Sequence, residues 1–523
     1  MTARKQRQRD ALAALSLANL TFARTWNELL TYSKEQAFFF HSLPTSKQAA
    51  AAAVNVLLLS VFMYCVIRLM RKVSHRWGDR AAVLLLPLLI APAFNSISGI
   101  LSAVAPALAP QNWLRQLDAG GILALCLVAT SFLYIGWRWP DWILKGSAWM
   151  IINLILLLPL EMAGVAWHFA TDKSELYRTR PPAGYLPPRV DSPNVVILLI
   201  DELDYRLLFE NRPSGLNLPE FDRLRSESLS ASHAFPPGKI TQVSVPSLLV
   251  GKRFLRTDTM GPDQLTGDPA GGGSRVPIGA NDNIFASVRR MGMNTSVIGW
   301  YLPYCRLFSS VLSYCSWYDM GTRLNVEGDS FIHDLVNQAQ APYETATYSP
   351  FPQSVLGKHR IFNARGMERD LRRLLEVPNP GFVFIHHVAT HAPYVYDRAT
   401  KGFTLKNSPI TGYVDGLAWA DIVLGTVRQK LEEAGNWNNT ILLVTADHSF
   451  RASRQLDGKW DPRVPWILKM PGNNKRIDYE TPIHTIVTRR FVEAVVSGLI
   501  KTQDDEVNWL RANEASVYSE SEH

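Results

Sequence analysis

Residues 49–170 of this 523-residue chain are far more apolar than the remainder, although the mean hydropathy of the whole stays close to zero. Four stretches in that region, 49–67, 81–106, 121–137 and 148–170, reach or approach the roughly 20 apolar residues that a bilayer crossing needs. In lipid a single segment satisfies its own backbone polar groups only as a helix. The region is therefore expected to be a transmembrane helix bundle. Pro87, Pro92 and Asn95 fall inside the second stretch, where neighbouring helices must satisfy the freed backbone groups. A fifth candidate, 11–30, carries Arg24 and Glu28. It either spans or lies along the interface, so 1–48 is read as an amphipathic or first spanning segment.

Loop charge sets the expected orientation. Arg68, Arg71, Lys72, Arg76 and Arg80 crowd the loop 68–80, which the positive-inside rule places in the cytoplasm. The next loop holds only Arg115, and the one after it Arg138 and Lys145. Alternation then puts everything beyond about residue 171 outside the cytoplasm, in the periplasm if the cell is Gram-negative. The basic N-terminus (Arg4, Lys5, Arg7, Arg9) also belongs inside, which favours five spans over four. No segment has the form of a cleavable signal peptide. The formal charge of +8 fits these basic loops. The C-terminal part has no Lys/Arg block interleaved with aromatics, so a nucleic-acid partner is not expected.

Cysteine usage agrees with that topology. Cys65 and Cys126 lie in apolar spans and read as small core residues. Cys305 and Cys315 are ten apart in the part assigned to the outside, where an oxidising compartment lets two cysteines pair. A metal site is the alternative for them, but no histidine is close in sequence.

After a Pro-rich linker (171–191, with Arg180-Pro-Pro-Ala-Gly-Tyr-Leu-Pro-Pro188) the pattern changes to apolar runs alternating with amphipathic ones. Strands are expected at 194–200, 295–299, 381–385 and 441–445, and helices at 218–227, 283–292, 362–375 and 415–434. This rhythm predicts an α/β fold, a doubly wound and mostly parallel sheet over 192–500. The Gly/Asp/Pro-rich stretch 258–282 reads as an exposed loop, and 501–523 as a polar tail.

Two strands end in metal-type ligands. Asn194-Val-Val-Ile-Leu-Leu-Ile runs into Asp201-Glu202, and Ile441-Leu-Leu-Val-Thr-Ala into Asp447-His448. Open parallel sheets bind ligands beyond their carboxyl strand ends, and carboxylate with imidazole suits a divalent ion. Between them Thr241 precedes an apolar helix-like run. Its hydroxyl either caps that helix or, beside a cation and the helix dipole, acts as a nucleophile.

These elements together resemble the sulfatase and alkaline-phosphatase superfamily from about 192 to 500. The ordered series carries the resemblance: Asn194 to Glu202; Pro219 to Glu227 followed by Ser232-His233-Ala234-Phe235; and Thr241, forty residues after Asp201 and ten before Gly251. Asp421 through Asp447-His448, then Val464-Pro465-Trp466-Ile467 to Pro471-Gly472, complete it. Sulfatases oxidise Cys or Ser to formylglycine in a motif that continues to an arginine. Here the position holds Thr241 and the residue four later is Val245. The Thr241, Ser244, Pro246 pattern instead resembles membrane-anchored phosphoethanolamine and phosphoglycerol transferases. The flanking cysteines of the lipid A class are Gly238 and Ser247 here, and its Tyr-Leu-His-Gly segment is replaced by Phe450 to Lys459. Head group and acceptor are left open by those departures.

The resemblance implies a metal site of Asp201, Glu202, Thr241, Asp447 and His448, with zinc favoured and manganese, magnesium or calcium as alternatives. It implies Thr241 as nucleophile, and His391 of the His-x-Pro-Tyr segment as ligand to the transferred group or proton donor to the leaving alcohol. Adjacent histidines on a strand face opposite ways, so at most one of His386 and His387 reaches the cleft, and His387 is assigned to substrate. Lys459 is assigned to a phosphoryl oxygen, with Arg451 and Arg454 as alternatives; His484 reads as structural. The implied reaction moves a phospho-head group from a membrane phospholipid to a lipid or glycan through a phosphothreonine. Hydrolysis of a sulfuric or phosphoric ester is the alternative, and a non-catalytic membrane sensor or scaffold is the alternative of another class.

Overall fold

A computed structural model describes residues 3–30, 38–41, 45–72, 77–105, 117–171, 179–189, 192–321, 330–340, 354–406, 410–472 and 474–513. The chain divides into two units, 1–32 with 43–173 and 321–358, and 33–42 with 174–320 and 359–523. Each unit thus borrows a piece of sequence from beyond the boundaries that hydropathy suggested.

In the first unit, among the described residues, three helices are long and apolar enough to cross a membrane: Ser46–Met70, Ala119–Arg138 and Pro140–Thr171. The 81–106 stretch lies in helix Trp77–Val104, which contains Pro87 and Pro92, and its apolar run shortens to Leu86–Leu101. Residue 106 and the basic-loop residues 73–76 lie outside the described residues. Segment 11–30 is two helices, Ala3–Thr21 and Ala23–Leu30, with Ala14, Leu17, Ala18, Trp26 and Leu29 buried. Helix Phe331–Gln340, late in sequence, also belongs here. Asn55 Nδ2 donates to the Leu335 carbonyl at 2.9 Å, Gln338 Nε2 donates to that of Gln48 at 3.1 Å, and Lys47 pairs with Asp334 at 3.1 Å.

The second unit is built on an eight-stranded sheet, β1 (Asn194–Ile200), β2 (Leu229–Ala231), β3 (Thr295–Trp300), β4 (Tyr314–Tyr318), β5 (Phe382–His387), β6 (Thr440–Thr445), β7 (Trp466–Lys469) and β8 (Ile477–Tyr479). The order is β8-β2-β7-β6-β1-β5-β3-β4. Only β7 runs against its neighbours. β1 shows why the strands are apolar throughout. Val195, Ile197 and Leu199 enter the core on one face, and Val196, Leu198 and Ile200 the core on the other. Helices α1 (Pro219–Ser226), α4 (Ser354–Leu375, from residue 359) and α5 (Thr411–Glu433) pack on the second face. On the first lie α2 (Thr241–Val250), α3 (Ile284–Arg290), α6 (Thr488–Val496) and α7 (Gln503–Ala512). The fold is therefore an α/β sheet covered on both sides by helices.

Two expectations are corrected. Residues 258–282 are not a loop: Phe254–Gly261, Gln264–Pro269 and Val276–Ile278 form an antiparallel sheet. Gly267 is there because the Phe254 ring lies where its Cβ would stand, 2.5 Å from Cδ1. The charges form cross-strand pairs, Arg275 with Asp258 at 2.6 Å and with Asp268 at 2.8 Å. The second correction is at 501–523, where α7 starts with a Thr502–Asp505 capping box and buries Leu510. Of the expected tail, 514–523 lies outside the described residues, as do 172–178 and 190–191 of the linker.

Candidate active site

The carboxyl ends of β1, β5 and β6 are adjacent because these strands are parallel neighbours. The chain leaving each delivers polar groups to one edge. Asp201 N–H continues the ladder by donating to the His387 carbonyl at 3.0 Å, and Glu202 N–H donates to Asp447 Oδ1 at 3.1 Å. Asp201, Asp447 and His448 are all buried, and each offers an atom within 4.8 Å of the others. His448 Nε2 is 3.3 Å from Asp447 Oδ2 and 3.9 Å from Asp201 Oδ1. Its Nδ1 lies 3.0 Å from the Ser449 carbonyl, which fixes the proton there and leaves Nε2 as the coordinating nitrogen.

Thr241 joins this group from α2. The N-cap is Ile240, without a side-chain capping bond, so the Thr241 hydroxyl is free of that role. Its Oγ1 sits 3.5 Å from Asp201 Oδ2 and 3.4 Å from His448 Nε2. Pro246 within the helix removes a donor to the Gln242 carbonyl, and Thr257 Oγ1 donates to that carbonyl instead, at 2.8 Å. Ser244 Oγ donates to the Asp447 carbonyl, tying α2 to the end of β6.

The residues present fit a divalent cation. Asp201 Oδ1 and Asp447 Oδ2 are buried with no hydrogen-bond partner, an arrangement a fold avoids unless a ligand completes it. Burial first, and then the Asp447 charge, pushes the Asp201 carboxyl well above its usual range. A bound cation would relieve both effects.

Glu202 departs from the expected ligand set. It has a left-handed backbone, φ 60°, and its carboxylate pairs with Arg451 at 2.8 Å instead of joining the cluster. Successive residues leaving a strand point apart, so Asp201 takes the cluster side and Glu202 the Arg451 side.

The histidine pair is also corrected. His386, not His387, faces the site: its Nε2 is 3.6 Å from Asp201 Oδ2, and its Nδ1 is 2.8 Å from the Tyr304 hydroxyl. His387 points into the opposite core, edge-on to Trp419, and neither ring nitrogen has a partner. Burial holds both neutral, at about 4 for His386 and about 3 for His387. Lys459 is exposed, and its backbone rather than its ammonium is what the fold uses: its carbonyl accepts from Ser453 Oγ at 3.1 Å and its N–H donates to Asp457. His484 caps a short turn by accepting from Ile486 N–H, as its structural reading implied.

His391 lies beside Trp300, ring centroids 4.7 Å apart, with Arg360 Nη2 at 3.5 Å from its Nδ1. Burial and then the Arg360 charge lower it to about 3, which favours the neutral imidazole. Arg360 itself was missed. It lies on the buried stripe of α4 with Ala364, Met367, Leu371 and Leu374, and a cation on an apolar helical stripe is the signal that marks it. Cys305 and Cys315 are bonded, with Cα atoms 5.6 Å apart.

The sulfatase family model matches residues 193–495, more than half of the chain. The chain belongs to the sulfatase family. No curated protein matches it. Among solved structures it is similar to Ps i-CgsB at 15% identity, over 61% of this chain and 74% of that one, TM-score 0.41. It is also similar to the phosphonate monoester hydrolase of Agrobacterium radiobacter (14% identity, 58% and 74% covered, TM-score 0.37). A third is the lipoteichoic acid synthase LtaP of Listeria monocytogenes (12%, 61% and 76%, TM-score 0.37). At those scores membership rests on the family match. Enzymes of this superfamily hydrolyse or transfer sulfuryl and phosphoryl groups and use divalent metal, and the buried Asp201, Asp447, His448 cluster could hold such an ion. Three apolar N-terminal helices suit a membrane anchor for this family member.

Proposed function

We propose that this sulfatase-family protein is a membrane-anchored transferase that moves a phospho-head group from a phospholipid to a lipid or glycan alcohol. The observation that carries the reading is the Thr241 hydroxyl, at a helix N-terminus and within 3.5 Å of the Asp201 and His448 side chains. Threonine is not a substrate for formylglycine formation, so its own oxygen is the nucleophile. Asp201, Asp447 and His448, with Thr241 itself, would hold a divalent cation, zinc by its donor set. When bound, such an ion supplies Lewis acidity that eases ionisation of a hydroxyl.

The chain's own groups do the rest. Asp201 Oδ2, 3.5 Å away, is a carboxylate acceptor for the Thr241 proton. The threonine oxygen attacks phosphorus, a P–O bond to the lipid glycerol breaks, and the glycerol oxygen leaves as an alcohol after taking a proton. The positive end of α2 stabilises the phosphoryl charge. A second alcohol then attacks the phosphothreonine, loses its proton and restores the Thr241 hydroxyl. The positive-inside pattern of the loops supports reading the second unit as lying outside the cytoplasm on a multi-pass anchor.

Incubating the full-length protein with head-group-labelled phosphatidylethanolamine or phosphatidylglycerol, then measuring the intact mass, tests the reading. A head-group-sized adduct on Thr241 that chases into an alcohol acceptor supports it. Label released only to water makes the protein a phosphodiesterase, and an unmodified Thr241 in metal-loaded, lipid-exposed protein rejects the scheme.

A further inference from the structure

A surface helix in water buries its apolar stripe and exposes its polar one. Helix Phe331–Gln340 does the reverse. Its apolar residues, Phe331, Ile332, Leu335, Val336 and Ala339, recur at i, i+1, i+4, i+5 and i+8, and so share one half of the helix surface. Ile332 is 63% exposed and Val336 45%. Asp334, Asn337 and Gln338 occupy the other half and are buried.

That inward face is matched group by group. Lys47 Nζ pairs with Asp334 at 3.1 Å, Lys358 Nζ donates to Asn337 Oδ1 at 2.9 Å, and Gln338 Nε2 donates to the Gln48 carbonyl at 3.1 Å. Asn55 Nδ2 donates to the Leu335 carbonyl at 2.9 Å. Lys47, Gln48 and Asn55 all stand on Ser46–Met70, a helix long and apolar enough to cross a membrane. Further along it Leu57, Leu58, Val61 and Phe62 are exposed as well. Polar groups inside and apolar groups outside is the arrangement lipid imposes, because hydrocarbon offers polar groups no partner. Lys47 and Asn55 are about 12 Å apart along the helix axis, from the rise per residue, so the contact stays within one leaflet. With the basic loop 68–80 in the cytoplasm, the Ser46 end lies in the outer one.

We propose that helix Phe331–Gln340 is bedded in the outer leaflet, with Ile332 and Val336 among acyl chains at the headgroup boundary and its polar side on Ser46–Met70. At 10 residues it is too short to cross a bilayer and suits the interfacial plane. The inference rests on the membrane anchor, not on the chemistry at Thr241. The chain leaves the second unit at Met320 and returns to it at His359. The helix therefore gives the sheet-bearing sequence a membrane attachment besides the linker 171–191.

The test uses the full-length protein in nanodiscs of phosphatidylethanolamine and phosphatidylglycerol. Cys65 and Cys126, the free cysteines, are replaced by serine, while Cys305 and Cys315 stay bonded. A nitroxide is attached through Ile332→Cys or Val336→Cys, with Leu57→Cys as the lipid standard and Lys501→Cys, at an exposed position of the second unit, as the aqueous one. Power-saturation electron paramagnetic resonance reads collisions with oxygen, which concentrates among acyl chains, and with a water-soluble nickel chelate. At both helix positions the oxygen-to-nickel ratio is expected to shift more than half-way from the Lys501 value to the Leu57 value. A ratio at the Lys501 value overturns the proposal. So does protection from both reagents, which would mean that protein, either a second copy or another part of this chain, covers the face. The Thr241 adduct is read separately, so a failure here leaves the transfer reading standing, and a missing adduct leaves the bedded helix standing.

Discussion

Carboxylates with buried, unpartnered oxygens occur both at the carboxyl edge of the sheet and on α7. Asp201 and Asp447 share their orphaned oxygens with His448 Nε2 and the Thr241 hydroxyl, all in one small volume. Glu506 on α7 is as deeply buried, with both oxygens unpartnered, but among the described residues it belongs to no metal-type cluster. Burial alone pushes its carboxyl well above the usual range. An isolated orphan is a cost in stability; orphans that converge from separate strands form a receptor for a cation. The difference lies in convergence, not in burial.

The largest expected effect is at the convergent site. Thr241→Ala should lower kcat/KM by roughly a thousandfold or more, since loss of a nucleophile removes the covalent route. Thr241→Ser should retain part of the rate. A rate for Thr241→Ala within about tenfold of wild type would show the cluster to be structural, like Glu506. Metal removal comes next. A chelator should lower the melting temperature of wild type, because an ion at a hundred times its Kd stabilises by about 2.7 kcal/mol. Asp447→Asn should abolish that response, and Glu506→Leu should leave it intact.

Glu506 gives the converse. Its folded pKa is raised, so its protonated form is favoured in the fold, and stability is lost as pH rises from the ordinary 4.5 towards the raised value. Glu506→Leu should therefore stabilise by ~1–3 kcal/mol near neutrality, with a smaller gain at pH 4 than at pH 8. Thermal melts at both pH values check this. An equal or opposite trend would mean that the carboxyl is not alone.

Much of the convergent site was legible because strands, by ending, announce what they deliver. Asp201, Asp447 and His448 follow directly from apolar runs that stop at a polar pair, and the βα alternation predicted parallel neighbours. Sequence did not show which of two adjacent polar residues takes which side. That depends on register and on the backbone turn, as at Glu202 with its positive φ. Nor did it show partners from distant elements, such as Arg360 from α4 or Arg451 claiming Glu202. Composition misled at 258–282, where glycine and aspartate signal close packing and cross-strand charge pairing rather than irregular chain.

The smallest expected effect sharpens the comparison most finely, since it concerns two neighbours on β5. His386 and His387 have the same side chain, the same burial and a lowered pKa, yet the pleat sends them to opposite faces. His386 is held between the Tyr304 hydroxyl and the Asp201 carboxylate. His386→Gln should therefore disturb Asp201 and reduce turnover about tenfold, by analogy with other groups that orient metal ligands. His387 touches Trp419 edge-on, and its two nitrogens lack partners. His387→Phe replaces an unsatisfied polar ring by an apolar one of similar shape. Turnover should stay within about threefold and stability within ~1.5 kcal/mol, the usual range for such swaps. Turnover and thermal melts of both variants decide the point. If His387→Phe loses more activity than His386→Gln, the register of β5 against β1 is wrong by one residue, and the whole edge must be reassigned.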